Sequence, residues 1–422
     1  MPDLATIGVL LSTLLAVPAG AGAQEPDAQE VFRAFSPGVG KVEVYSDGAS
    51  APGAVGSAFF VDAEGLLATS YHVVRDVVYE PGRYSAQVEL AGLGRFEAEV
   101  IHVEASHDLA LLRVGVEPPH LFAFSERPPE RGSRMFSLGH PADLATSVVE
   151  GTFNGSVEHR VSPRFHFTGS VNPGMSGGPA ITREGLVVGI NVSTAGNQLS
   201  FLVPAAEVES LLEAYREGGK AAHGTLLERV EQQFVDLHGD FLGPLLDAPL
   251  ATIPLGGFRV PSGMSEALDC SAMSVDPEDD RFGGVRHTCE TSDRLLAYQR
   301  NSTQLLSMVH IQLEEIDLGS LRFHAAYTEF FQNLDQWLHE GNDQASAYAC
   351  EEANVAAAVK LRITFCARRN QEMPSLHDIF VRSAVIGKPV EGVVSTLRIG
   401  AVPLPLARRF LRRYLEGFSW GR

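Results

Sequence analysis

Ser176 lies in the octapeptide NPGMSGGP, residues 172–179, where it is the one hydroxyl among glycines and prolines. A serine hydroxyl attacks a carbonyl at neutral pH only when a base takes its proton, and that base needs a third group to fix its tautomer and stabilise its charge. Backbone N–H groups must also point at the oxygen that becomes negative in the transition state. Gly174, Gly177 and Gly178 permit this, because without a Cβ they take dihedrals other residues resist and let a substrate approach the main chain. On its own the octapeptide is a weak signal, since such a stretch also occurs as a simple tight turn.

Two further stretches supply the missing groups. LLATSYHVV places His72 directly after an apolar strand ending at Thr69 and Ser70, where the chain turns and exposes the ring. ASHDLALLRV places Asp108 at the head of a hydrophobic strand, a position that buries a carboxylate where it needs a partner. His107 beside it is expected on the opposite face of that strand, at the surface. The chain order His, Asp, Ser is the reverse of the order in hydrolases built on a GxSxG elbow.

The elements that would position these groups are short strands. From Gly40 to Pro204, segments such as GKVEVYS, GSAFFVD, AQVEL, LALLRVGV, RMFSLGH, RFHFTGS and GLVVGINVST are separated by turn residues, which indicates a barrel or a sandwich. Residues 117–132, EPPHLFAFSERPPERG, interrupt them midway as a connection. After Pro204 the pattern turns helical, breaks at the glycines of 218–224, and resumes helical spacing at Leu226, Leu227, Val230, Phe234, Val235 and Leu237. Residues 225–422 are therefore expected to form a separate α+β domain of unassigned fold.

Composition bounds the function. A formal charge of −19 argues against nucleic-acid binding, which relies on basic side chains meeting phosphates. The apolar run Leu4–Val17 followed by Ala21, Gly22 and Ala23 reads as a secretory signal peptide over 1–23, although its start carries Asp3 and no Lys or Arg. A periplasmic or secreted, soluble mature protein is the expectation. Export favours disulfides over a metal site for Cys270, Cys289, Cys350 and Cys366, whose spacings lack paired CxxC ligands. Of three pairings, Cys270 with Cys289 and Cys350 with Cys366 is expected, since each pair brackets an apparent hairpin.

The motifs TSYHVV, HDLALLRV, SLGHP, NPGMSGGP and VVGINVS…LSFLVP together resemble the trypsin-like serine endopeptidases, closest to the bacterial HtrA/Deg branch. The resemblance runs from Gly38 to Val208 and sets a protease domain at 31–215. It implies an all-β pair of six-stranded barrels with the triad in the cleft between them. It further implies His72 as general base, Asp108 as its orienter, Ser176 as nucleophile, and the N–H groups of Gly174 and Ser176 as the oxyanion hole. No metal or organic cofactor is implied, and the substrate is a polypeptide.

By the same resemblance Ser170 lies at the base of the pocket for the side chain before the scissile bond, with walls from Val192, Ser193, Thr194, Phe201 and Leu202. With no acid at the base, a small or medium apolar side chain is the expected preference. Met175 and Tyr71 depart from the family pattern, and Tyr71 is expected to narrow the cleft. The glycine-led loop of a PDZ domain is not found in 225–422.

The C-terminal half carries no catalytic constellation. Its last segment, PLARRFLRRYLEGFSWGR, is a basic amphipathic helix that can pack on its own domain, meet a protein partner or lie on a membrane surface. The expected function is an exported serine endopeptidase in protein quality control or processing. The alternative is a silent or latent protease fold whose C-terminal domain recognises a partner.

Overall fold

The computed structural model describes residues 27–158, 160–194, 196, 198–219, 225–247, 249–275, 282–315, 319–332 and 344–421. The signal peptide expected over 1–23 lies outside the described residues. Strands β1 (Val39–Ser46), β2 (Ala54–Phe60), β3 (Leu66–Thr69), β4 (Tyr84–Leu90), β5 (Gly94–Glu104) and β6 (Leu109–Arg113) close into a barrel in the order β1-β2-β3-β6-β5-β4. Strands β7 (Arg134–Gly139), β8 (Ser147–Ser156), β9 (Phe165–Phe167), β10 (Pro179–Ile181), β11 (Val187–Thr194) and β12 (Ser200–Pro204) close a second barrel with the same strand order. Closure leaves neither barrel a free sheet edge.

The barrels meet through an apolar core. Phe59 and Leu111 of the first pack with Phe136, Ile190 and Val203 of the second, all fully buried. Each such side chain contributes about 1.5–3 kcal/mol of burial energy. Helices α1 (Ala28–Phe35) and α3 (Ala205–Ala214) cap this core with Val31, Val208 and Leu211. The connection over 117–132 runs along it and inserts Phe122. A third helix, α2 (Tyr71–Tyr79), buries Val73, Val74 and Val78 in the first barrel.

The second half is built on an antiparallel seven-stranded sheet. Its strands are β15 (Leu268–Val275), β16 (Phe282–Thr291), β19 (Leu306–Glu315), β20 (Ala349–Ala356), β21 (Lys360–Arg369), β22 (Leu376–Ile386) and β23 (Glu391–Pro403), in the order β15-β16-β19-β23-β22-β21-β20. A three-stranded sheet of β13 (Thr252–Leu255), β14 (Phe258–Pro261) and β24 (Ser419–Trp420), and the short pair β17 (Arg294–Leu295) and β18 (Thr303–Gln304), complete it. Disulfides Cys270–Cys289 and Cys350–Cys366 each join an edge strand, β15 or β20, to its neighbour. Both edge strands are largely exposed, so the crosslinks hold elements that little burial would retain.

Helix α4 (Leu226–Leu242) opens with a capping box formed by Thr225 and Glu228. Its Val230 and Phe234 share a core with the first barrel and with Leu295, Tyr298, Leu305, Met373 and Leu376. The two halves are therefore joined by a continuous apolar core, not by a linker alone. Helix α5 (Ser320–Gln332) buries Phe323, Tyr327 and Phe331 on one face of the sheet. Helix α6 (Leu404–Glu416) covers the opposite face with Ala407, Phe410 and Tyr414. Its apolar stripe is thus spent inside its own domain, which corrects the membrane-surface option. Among the described residues no helix is long and apolar enough to cross a membrane.

Candidate active site

His72 is the second residue of α2, with Ser70 at the N-cap. Because Val73 and Val74 are committed to the barrel core, His72 is turned to the other side of the helix and leaves 30% of its side chain exposed. Asp108 closes the turn between β5 and β6 with φ +64°, a left-handed conformation that Asp tolerates better than most residues. That turn aims both carboxylate oxygens at His72. Oδ1 accepts the His72 backbone N–H at 2.8 Å, and Oδ2 lies 2.7 Å from Nδ1. The Tyr71 N–H donates to the Asp108 carbonyl at 3.1 Å.

With Nδ1–H given to Asp108, the lone pair of the neutral ring sits on Nε2. Burial disfavours imidazolium, but the Asp108 charge and hydrogen bond outweigh it, and the His72 pKa is raised from the ordinary 6.5. The cation that a proton transfer would form is therefore stabilised in advance.

The Ser176 loop is fixed from three sides. Ser57, fully buried on β2, donates its N–H to the Ser176 carbonyl at 2.8 Å and its hydroxyl to the Gly174 carbonyl at 2.8 Å. The Asn191 carbonyl accepts both the Gly177 N–H at 2.8 Å and the Ser70 hydroxyl at 3.2 Å. One acceptor thereby ties the residue after Ser176 to the N-cap of the helix carrying His72. The Asn191 side chain adds a bond from Nδ2 to the Met175 carbonyl at 3.3 Å.

Gly174 has φ +94°, and a Cβ there would strike the His140 carbonyl, so only glycine fits. In this conformation the N–H groups of Gly174 and Ser176 donate to no acceptor among the described residues. Two donors without an acceptor, on a half-buried serine and two residues before it, are what a developing oxyanion needs. Among the described residues no group of three or more His, Cys, Asp or Glu side chains is placed to hold a metal.

Several expected positions are placed differently. Tyr71 is fully buried in the first barrel's core and does not reach the cleft. His107 lies in the turn with Asp108, not on β6, and is half-buried with Nδ1 3.6 Å from Glu207 Oε2. Leu202 is fully buried and packs with Met135, Phe153 and Phe167 of the second barrel. Ser170 is exposed, and Val192 and Phe201 are buried on neighbouring strands with Arg160 stacked 4.9 Å over the Phe201 ring. Ser193 and Thr194 pair with Phe201 and Ser200 along β11 and β12.

Ser57 and Asn191 were not singled out from the sequence. Each is a polar residue inside an otherwise apolar strand, GSAFF and GINVS, and that anomaly was the available signal.

The family model for the trypsin-like peptidase domain matches residues 56–190. Mouse serine protease HTRA4 is 30% identical over 178 residues, covering 39% of this chain and 35% of the relative. The probable periplasmic serine endoprotease DegP-like of Rickettsia prowazekii is 27% identical over 187 residues, covering 41% and 35%. Arabidopsis thaliana protease Do-like 1, chloroplastic, is 26% identical over 215 residues, covering 47% and 48%. The solved serine endoprotease from Yersinia pestis aligns at 21% identity with a TM-score of 0.39, covering 46% of this chain and 69% of that one. The chain thus spans about a third to a half of the curated relatives it matches. Residues 56–190 thus carry a trypsin-like peptidase domain, set on two six-stranded barrels, and the N-terminal half of the chain is similar in sequence to serine proteases of the HtrA/Deg type.

Proposed function

We propose that the chain is a serine endopeptidase that cleaves polypeptides through an acyl-enzyme on Ser176. The observation that carries this reading is the double hold of Asp108 on His72, at the backbone N–H and at Nδ1. His72 Nε2 takes the Ser176 proton as Oγ bonds to the scissile carbonyl carbon, and the carbonyl electron pair moves onto oxygen. The N–H groups of Gly174 and Ser176 receive that oxyanion. His72 then gives its proton to the leaving amine as the C–N bond breaks, and a water repeats the sequence on the ester.

None of the residues expected to line the substrate pocket, Ser170, Val192, Ser193, Thr194, Phe201 and Leu202, is an acid, and most are small or apolar, which supports a small or medium apolar residue before the scissile bond. The two disulfides are consistent with an oxidising compartment, and the DegP-like relatives support export to the periplasm or beyond. Processing or quality control of exported proteins follows as the role.

Labelling of the full chain by a fluorophosphonate tests the reading, because the probe reacts only with an activated hydroxyl. Wild type should label, Ser176→Ala should not, and peptide hydrolysis should fall by about 10⁴-fold or more in the variant. A wild-type chain that neither labels nor cleaves would leave a protease fold used for binding.

A further inference from the structure

Strand β5 outlasts its partner on one side. β4 pairs with it only over residues 94–98, so its last residues before the turn have β6 on one side and helix α4 of the second half on the other. Gln233 of α4 stands in for the missing strand. Its Oε1 accepts the Ala105 N–H at 2.9 Å, and its Nε2 donates to the Val103 carbonyl at 2.7 Å. Val103 and Ala105 are both buried, and main-chain groups in such a place need a partner. The α4 residues on either side, Val230 and Phe234, share one apolar core with Val103 and Ala105. Within that apolar contact, Gln233 is a polar amide with both ends given to the β5 main chain.

Ala105 leads directly into the triad. Its carbonyl accepts the Asp108 N–H at 3.3 Å, which closes the turn. In that turn Asp108 holds φ +64° and makes both contacts to His72. A left-handed non-glycine residue persists only where its surroundings over-determine it. Hydrogen bonds thus run from Gln233 to Ala105, from Ala105 to Asp108, and from Asp108 to His72.

We propose that Gln233 is a positioning residue for the triad, through which the second half of the chain sets the turn that presents Asp108. The inference rests on the catalytic reading above and makes the second half a working part of the peptidase.

Steady-state kinetics and thermal unfolding of the full chain, disulfides intact, test it with Gln233→Met and Gln233→Glu. Methionine keeps the length and helix propensity of glutamine but makes neither bond. Measured well below its Tm, Gln233→Met should lose about tenfold to thirtyfold in kcat with KM nearly constant. The acid midpoint of its kcat/KM should also move down toward 6.5. Burial disfavours the His72 cation, a loosened Asp108 offsets this less, and Arg75, the other charge facing His72, is unchanged. Gln233→Glu still accepts the Ala105 N–H and should lose only about threefold in kcat. A lower Tm with wild-type kcat and midpoint in Gln233→Met makes Gln233 a packing residue and overturns the proposal. If that variant does not fold, wild-type kcat in Gln233→Glu overturns it. A wild-type chain that neither labels with fluorophosphonate nor cleaves peptide takes the catalytic reading down together with this one, whereas an active wild type with unchanged variants sinks this one alone.

Discussion

Asp293 and Val161 belong to different halves of the chain, yet the Asp293 carboxylate accepts the Val161 N–H at 2.7 Å. Its other oxygen lies 3.4 Å from Arg160, whose guanidinium stacks on Phe201 beside the expected substrate pocket. Ser162, one residue on, donates to the Ser106 carbonyl at 2.8 Å, next to the turn that holds Asp108. The C-terminal half therefore fixes a loop that stacks on Phe201 and bonds to the turn holding Asp108.

Removing that hold should appear in substrate binding before chemistry. Asp293→Ala is expected to lower kcat/KM by about tenfold, mostly through KM, as loss of one charge-assisted bond to a backbone donor implies. Asp293→Asn, which keeps an acceptor for Val161 but loses the charge, should fall between. Steady-state kinetics on one peptide substrate decides the matter, and unchanged KM in both variants would disconnect the loop from the pocket.

The raised pKa of His72 fixes the direction of the pH profile. Protonated His72 cannot accept the serine proton, so kcat/KM should fall as pH drops through the His72 pKa, with a midpoint above 6.5. Asp108→Asn removes the charge that raises it. That variant should lose about 10⁴-fold in kcat, the scale found when a triad carboxylate becomes its amide, and its residual activity should have a lower acid midpoint. A wild-type midpoint at or below 6.5 would contradict the electrostatic assignment.

Ser57 is predicted to act on the oxyanion donors through the backbone. Its hydroxyl donates to the Gly174 carbonyl at 2.8 Å and accepts the His140 N–H at 3.0 Å, which holds the backbone at Gly174 in place. Ser57→Ala removes both bonds. Expected is a fall in kcat of about tenfold to a hundredfold with KM nearly constant, since the lost order matters when negative charge develops. A variant that raises KM and keeps kcat would assign Ser57 to packing alone.

The parts of this molecule legible from its sequence are those whose signal is local. His72, Asp108 and Ser176 stand out because each interrupts an apolar strand or a glycine turn with a reactive group, and most barrel strands announce themselves by flanking turn residues. Strand β8 was not read, since Gly151, Gly155 and Asn154 dilute its apolar pattern, and β10 was not read because it is three residues long and begins at Pro179. The hold on Ser176 and the grip of Asp293 on Val161 were illegible for another reason. The bond from Ser57 to Gly174 and the grip of Asp293 join residues more than a hundred positions apart, and neither partner has a pattern of its own. The packing of α4 on the first barrel was illegible likewise, because helical spacing in α4 tells which residues are buried and not against what.

Two buried histidines should make the protein acid-sensitive. His238, fully buried on α4, has Nε2 2.9 Å from the Gly400 carbonyl, and His310, also fully buried, has Nε2 2.8 Å from the Pro261 carbonyl and Nδ1 2.7 Å from Ser395. Burial lowers their pKa values to about 4 and about 3. The unfolded chain, with ordinary imidazoles, then binds protons more readily than the folded one. Their contribution is complete above pH 6.5 and is lost as pH falls from there toward 4. For His238 the loss is on the order of 3 kcal/mol. His72 works in the opposite sense, because its raised pKa adds stability below 6.5 that is lost as pH rises through its folded value. Denaturant unfolding at a series of pH values between 7 and 4, on wild type and on His238→Gln with His310→Gln, separates the two effects. The double variant, which keeps amide donors but cannot titrate, should be less stable at neutral pH and show a shallower decline in acid. An equally steep decline would place the acid sensitivity elsewhere.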